Sequence, residues 1–194
     1  DGGDVLHTKS IILATGVEWR RLELDSVDRF VGSGVYYGAA RSEASATHGL
    51  DVHLIGAGNS AGQAALFFAN HARTVTLIVR GGSLEKSMSR YLIEQLATKS
   101  NVTVQPHSEV VAAHGDTHLT AIDIREGANA TVRQHDCGGL FVFIGADAET
   151  EWLPADIARD NRGYVLTGDD VVKAGHWSNG RDPYLLESSA PGIF

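Results

Sequence analysis

The segment Gly56-Ala57-Gly58-Asn59-Ser60-Ala61 constrains this chain more than any other, because of what stands on either side of it. Before it, Asp51–Ile55 is a short apolar-rich stretch halted by glycine, which predicts a strand. After it, Ala61, Ala64, Ala65, Phe68, Ala69 and Ala72 follow helical spacing and predict a helix over 59–72. A strand, a GxGxxA turn and a helix in that order make the dinucleotide fingerprint. Gly56 permits the tight turn, Gly58 lets backbone approach a pyrophosphate, and the small Ala61 lets the helix lie close to the sheet. Asn59 and Ser60 are expected to cap the helix or donate to phosphate, with the helix N–H groups aimed at the anion.

The pattern continues beyond the fingerprint. Thr74–Val79 reads as a second strand and Ser87–Thr98 as a second helix, a βαβα alternation that implies a parallel sheet. Strands follow at 102–104, 109–113, 119–124 and 131–134, the later ones pairing antiparallel around Gly127-Ala128-Asn129. The apolar run Leu140–Gly145 returns to the parallel sheet and again stops at glycine. Upstream, Ser10–Gly16 suits a buried parallel strand ending at a ligand crevice, whereas 17–50 shows no sustained period, with a boundary expected near Gly34. A further strand is expected at Tyr164–Leu166.

Cofactor choice in such folds is set at the end of the second strand, where a carboxylate binds a ribose 2′-hydroxyl and an arginine accommodates a 2′-phosphate. Here the strand closes Leu77-Ile78-Val79-Arg80 with no carboxylate, so NADPH is favoured over NADH. A solvated arginine after a strand is the plainer reading of the same residue.

Composition removes other classes. The net charge of -8 (24 acidic against 16 basic residues) comes without any run of Lys or Arg, which argues against nucleic acid as a partner. No apolar run approaches the ~20 residues that span a bilayer, and Asp1-Gly2-Gly3-Asp4 does not resemble a signal peptide, so no membrane partner and a cytoplasmic setting are expected. The nine histidines show no metal-ligand spacing, and no GxSxG elbow marks a serine nucleophile, so neither a metal site nor a catalytic side chain is expected. Cys137 is the only cysteine, which excludes an internal disulfide or CxxC pair.

Taken in order, Ile11-Ile12-Leu13-Ala14-Thr15-Gly16, the GAGNSA segment, Gly139–Gly145 and the closing Ser189-Ala190-Pro191-Gly192-Ile193-Phe194 resemble thioredoxin reductases, FAD-dependent members of the class II pyridine nucleotide-disulfide oxidoreductases. The resemblance implies an α/β fold: a Rossmann-like NAD(P)H-binding domain at 34–145, with a parallel sheet, helices and an antiparallel segment, flanked by partial FAD-domain segments at 1–33 and 146–194. It places Thr15 and Gly16 near the flavin, and Ile144 and Gly145 near the nicotinamide. Two departures stand out. The family's CxxC pair should fall just after Gly34-Val35, where this chain has Tyr36-Tyr37-Gly38-Ala39-Ala40-Arg41, so that Gly38 and Arg41 replace the disulfide. The family's HRRxxxR segment is reduced to Val79-Arg80-Gly81-Gly82-Ser83-Leu84-Glu85, with one arginine in register.

The chain is therefore similar to the disulfide-free relatives, including ferredoxin-NADP reductases of thioredoxin-reductase type. It lacks the family's FAD GxGxxG and glycine-aspartate motifs and is expected to be a fragment, inactive and without FAD on its own. The implied function is hydride transfer from NADPH to flavin in the complete protein and on to an unnamed electron acceptor, with room for a homodimer. The competing expectation is an inactive nucleotide-sensing or interaction module that keeps the fold.

Overall fold

The computed structural model describes residues 3, 5–38, 45–127 and 129–194. In chain order the elements are β1 (Val17–Trp19), α1 (Asp25–Asp28), β2 (Val35–Tyr37), β3 (Asp51–Ile55), α2 (Asn59–Phe68), β4 (Thr74–Val79), α3 (Arg90–Ala97) and β5 (Val102–Pro106). They continue with β6 (Ser108–Gly115), β7 (Leu119–Glu126), β8 (Thr131–Asp136), β9 (Gly139–Val142), β10 (Ala146–Ala148) and α4 (Asp169–Lys173). The chain divides into two compact units, Arg21–Ile144 and Asp1–Arg20 with Gly145–Phe194.

Within Arg21–Ile144, five strands form a parallel sheet in the order β2-β9-β3-β4-β5. Because successive strand residues face opposite sides, each central strand feeds two cores. Val52 and Leu54 of β3, Val75, Leu77 and Val79 of β4, and Phe141 of β9 pack with Ala61, Ala64, Ala65 and Phe68 of α2 and with Leu92 and Leu96 of α3. Ile55, Ile78, Leu140 and Val142 instead join Val110, Ala113, Leu119, Ile122 and Ile124 of the antiparallel sheet β6-β7-β8. A parallel sheet buried on both faces follows, with near-continuous apolar strands.

Several expectations meet a different outcome. Helix α2 ends at Phe68, not Ala72, and α3 begins at Arg90 after Ser89 as N-cap. Short β2, missed because three residues carry too little period, completes the sheet edge. Helix α1, also missed, sends Val27 and neighbouring Phe30 into the second core, so the compact unit begins at Arg21, upstream of Gly34.

In the other unit, β1 and β10 pair antiparallel, joined by the Arg20–Asp147 ion pair at 2.6 Å. The expected buried strand at 10–16 is a correction. Ile11 makes one parallel bridge to Ile193, and Leu13 donates to the Phe194 carbonyl at 2.5 Å, but Ile11 and Ile12 are exposed. Among the described residues this stretch has one hydrogen-bonded neighbour, the 192–194 tail, so no sheet covers it. Tyr164–Leu166 likewise forms only a bridge, Arg159 to Val165, rather than a strand.

One buried polar group has a consequence for stability. His53 of β3 is 5% exposed, and its Nδ1 meets no hydrogen-bond partner among the described residues. Burial lowers its pKa to about 4, neighbouring His135 lowers it further, and Asp51 opposes both. Below an unfolded value of about 6.5 the unfolded chain takes up a proton that the folded chain refuses, so stability is full above about pH 6.5 and falls towards pH 4, by about 3 kcal/mol in all. Asp51, held at about 2 chiefly by its hydrogen bond from Arg73, acts in a separate window: its contribution is lost only below about pH 4. We predict that urea unfolding of the native chain loses stability between pH 7 and 4.5, whereas His53→Leu flattens that limb. An unchanged slope in the variant would contradict this.

Candidate functional site

The turn after β3 is fixed by contact with the strand beside it. Gly56 has φ 146°, and a Cβ there would lie 2.5 Å from the Phe143 carbonyl oxygen, so no other residue fits without moving backbone. The Phe143 N–H donates to the Ile55 carbonyl at 2.7 Å and the Gly56 N–H to the Ile78 carbonyl at 3.2 Å, so three neighbouring chain segments converge here. Two residues on, Gly58 is the N-cap of α2 at φ -87°, with open space where its side chain would be and no side chain capping the helix. The first-turn N–H groups of a helix lack intrahelical partners and carry the positive end of its dipole. Left uncapped beside open space, they form an anion site.

The turn opens into a cleft of about 370 Å³ at the carboxyl ends of β3 and β4. Gly56, Gly58, Arg80 and Ile144 all line it, so four of the expected residues meet in one place. Ala61 sits behind the turn, fully buried among the α2–sheet contacts. Ser60 is exposed in the first helical turn. The Asn59 side chain goes elsewhere: its Oδ1 accepts the Ser89 N–H at 2.7 Å, serving the start of α3 instead of capping α2. Gly145 and the pair Thr15 and Gly16 belong to the other unit. There Gly145, at φ 105°, accepts the Arg20 N–H at 3.1 Å. Thr15 and Gly16 line a cavity of about 630 Å³ that also takes in Ile12, Leu13, Tyr164 and Phe194.

Three residues escaped the sequence reading. Ser83, Lys86 and Ser87, from the loop between β4 and α3, also line the cleft. Ser87 Oγ donates to the Ala57 carbonyl at 2.8 Å, tying that loop to the glycine turn. Lys86 adds a cation beside Arg80. A hydroxyl- and lysine-bearing loop after the second strand was the available signal, obscured by comparison with an arginine motif. The donor set of glycine backbone, hydroxyls and two cations suits the pyrophosphate and phosphates of a dinucleotide.

Where the family's CxxC pair would fall, the chain packs aromatic residues. Tyr36 stacks on Phe141 with ring centroids 5.1 Å apart, and Tyr37 Oη accepts the Leu22 N–H at 3.1 Å. Gly38 donates to the Val142 carbonyl at 3.3 Å, and Arg41 lies outside the described residues. Cys137 is buried against β3, and loss of water pushes its thiol pKa up to about 12, so it stays a protonated, unreactive thiol. Among the described residues no group of three or more His, Cys, Asp or Glu is arranged to hold a metal, and no helix is long and apolar enough to cross a membrane.

Known proteins carry the same arrangement. The chain is 29% identical over 97% of its length to a flavin-family relative from Staphylococcus epidermidis, a component of alkyl hydroperoxide reductase, and 28% identical over 84% to a thioredoxin reductase of Streptomyces clavuligerus. It spans 38% and 50% of those two proteins. The crystal structure of Lactococcus lactis thioredoxin reductase in its FR conformation superposes on all of this chain with a TM-score of 0.75 at 24% identity, over 58% of that protein, and so shares its fold. The T. acidophilum thioredoxin reductase matches the whole chain with the same TM-score at 20% identity. The pyridine nucleotide-disulphide oxidoreductase pattern extends over residues 1–173, glycine turn included, and the chain belongs to that family of oxidoreductases.

Proposed function

We propose that the Arg21–Ile144 unit binds NADPH in the cleft at Gly56–Gly58, and that the complete protein is a thioredoxin reductase-like flavin oxidoreductase. The observation that carries this is the pairing of a turn where only glycine fits with an uncapped helix end opening onto Arg80 and Lys86. Bound there, NADPH supplies a hydride that FAD accepts and hands on as two electrons to a further acceptor. The chain's own residues bind and orient. The Gly58, Asn59 and Ser60 N–H groups hold the pyrophosphate, Arg80 and Lys86 balance phosphate charge, and Ile144 presents an apolar surface to the nicotinamide.

In this proposal the flanking segments, about 1–33 and 146–194, contribute to the flavin domain. Thr15 and Gly16 sit in a largely apolar cavity edged by the Tyr164 side chain, a surface suited to a flat ring with a few hydrogen-bonding edges. The acceptor draws its electrons without a dithiol from this chain, since the one thiol is buried and protonated. That observation also favours a second reading, a nucleotide-sensing module without turnover. An absorbance spectrum of the complete protein separates the two: flavin bands bleached by anaerobic NADPH support the enzyme, and unbleached bands support the sensor.

Two substitutions test the cleft. Gly58→Asp places a carboxylate in open space without steric clash, so the fold should persist while nucleotide binding is abolished; unchanged NADPH affinity in the folded variant would refute the site. Arg80→Ala should weaken NADPH more than NADH by about 1.5–3 kcal/mol at low salt, the scale of a hydrogen bond to a charged group. Calorimetric titration of both nucleotides measures the difference, and equal losses would mean that Arg80 does not read the 2′-phosphate.

A further inference from the structure

Beyond Arg80 the cleft meets a second pocket, of about 380 Å³, that the glycine motif does not predict. Arg80 borders both. The far wall comes from His107, at the junction of β5 and β6, and from Glu109 and Arg125 on the antiparallel sheet. A dinucleotide with its pyrophosphate on Gly58 lays its adenosine ribose over the end of the second strand, here β4, so the pocket lies where a 2′-substituent would project.

The pocket shows signs of construction. His107 holds a left-handed backbone conformation, φ 50°, uncommon for a residue with a side chain. It is held there from both sides: its N–H donates to the Gly81 carbonyl at 3.1 Å and its carbonyl accepts the Gly127 N–H at 2.9 Å. The ring lies over Gly82, where a Cβ would come 3.0 Å from Nε2, so the glycine leaves room for the imidazole. Strain kept in place by its surroundings gathers at functional positions. Arg125 stands opposite Glu109 in the β6–β7 register and pairs with it through Nη1. A guanidinium has five donors, so one carboxylate contact leaves others for a phosphate.

We propose that Arg125 and His107, with Arg80, form the subsite for the 2′-phosphate of NADPH, and that Arg125 is a specificity-determining residue. This rests on the Gly56–Gly58 cleft being the dinucleotide site. Two guanidinium groups face one carboxylate across the pocket, an excess of positive charge suited to a dianionic phosphate. The cations come from a different part of the chain than the loop after β4, where Gly81 and Glu85 stand. Glu109 plays a tempering part, orienting Arg125 and offsetting some of its charge.

The test is calorimetric titration of NADPH and NADH against the full chain and two variants, at low salt. Arg125→Gln should weaken NADPH by about tenfold and NADH by less than about twofold. Glu109→Gln frees the guanidinium and should tighten NADPH several-fold, with NADH unchanged, an effect that partial unfolding cannot imitate. If both nucleotides bind the native chain and Arg125→Gln weakens them equally or not at all, the subsite is overturned and the cleft stands. If Glu109→Gln selectively weakens NADH, Glu109 reads the ribose hydroxyl and the assignment is reversed. A native chain that binds neither nucleotide overturns the cleft and this subsite together.

Discussion

The approach of Gly56 to the Phe143 carbonyl sets the geometry on which the rest of the site depends. A Cβ at position 56 would lie 2.5 Å from that oxygen, so the chain can leave β3 and turn this sharply only without a side chain. The same contact joins the ends of β3 and β9, where Phe143 donates to the Ile55 carbonyl. With those ends together, the cleft gains Ile144 on one wall and Arg80 on the other, and α2 starts with its N–H groups towards the space between. Ala61 allows it, since a larger residue at this fully buried position would push the helix off the sheet.

Much of this was legible in the sequence because strong local patterns and tertiary packing agree. β3 and β4 run as the apolar periods predicted, Asp51–Ile55 and Thr74–Val79, since central parallel strands are apolar on both faces and leave little else to specify. The antiparallel strands β6 to β8 were also placed, each extended by a few residues through pairing that no local period records. The failures have physical causes too. β2 and α1 are three and four residues long, and their existence depends on partners distant in sequence: β9 for Val35–Tyr37, and the second core for Val27. Ser10–Gly16 carried a strand's composition but finds one hydrogen-bonded neighbour among the described residues.

The candidate site divides in the same way. Residues contiguous with the glycine turn were identifiable because the motif's mechanics are local. Lys86, Ser87, His107 and Arg125 reach the cleft and its neighbouring pocket through the β4–α3 loop and the antiparallel sheet, and only the fold brings them near Arg80. The electron path shows the reverse: a single cysteine excluded an internal dithiol from the sequence alone, and burial of Cys137 supplies the physical reason that its thiol takes no part.

The central claim is that the backbone at Gly58 and the start of α2 cradles a dinucleotide pyrophosphate. Amide spectra of the ¹⁵N-labelled chain titrated with NADPH test it residue by residue. The account predicts the largest shifts at Gly56–Ser60, with further shifts at Arg80–Gly82 and Ile144, while amides around the buried His53 stay in place. Shifts concentrated elsewhere, with Gly58 and Asn59 unmoved at saturating NADPH, would contradict it.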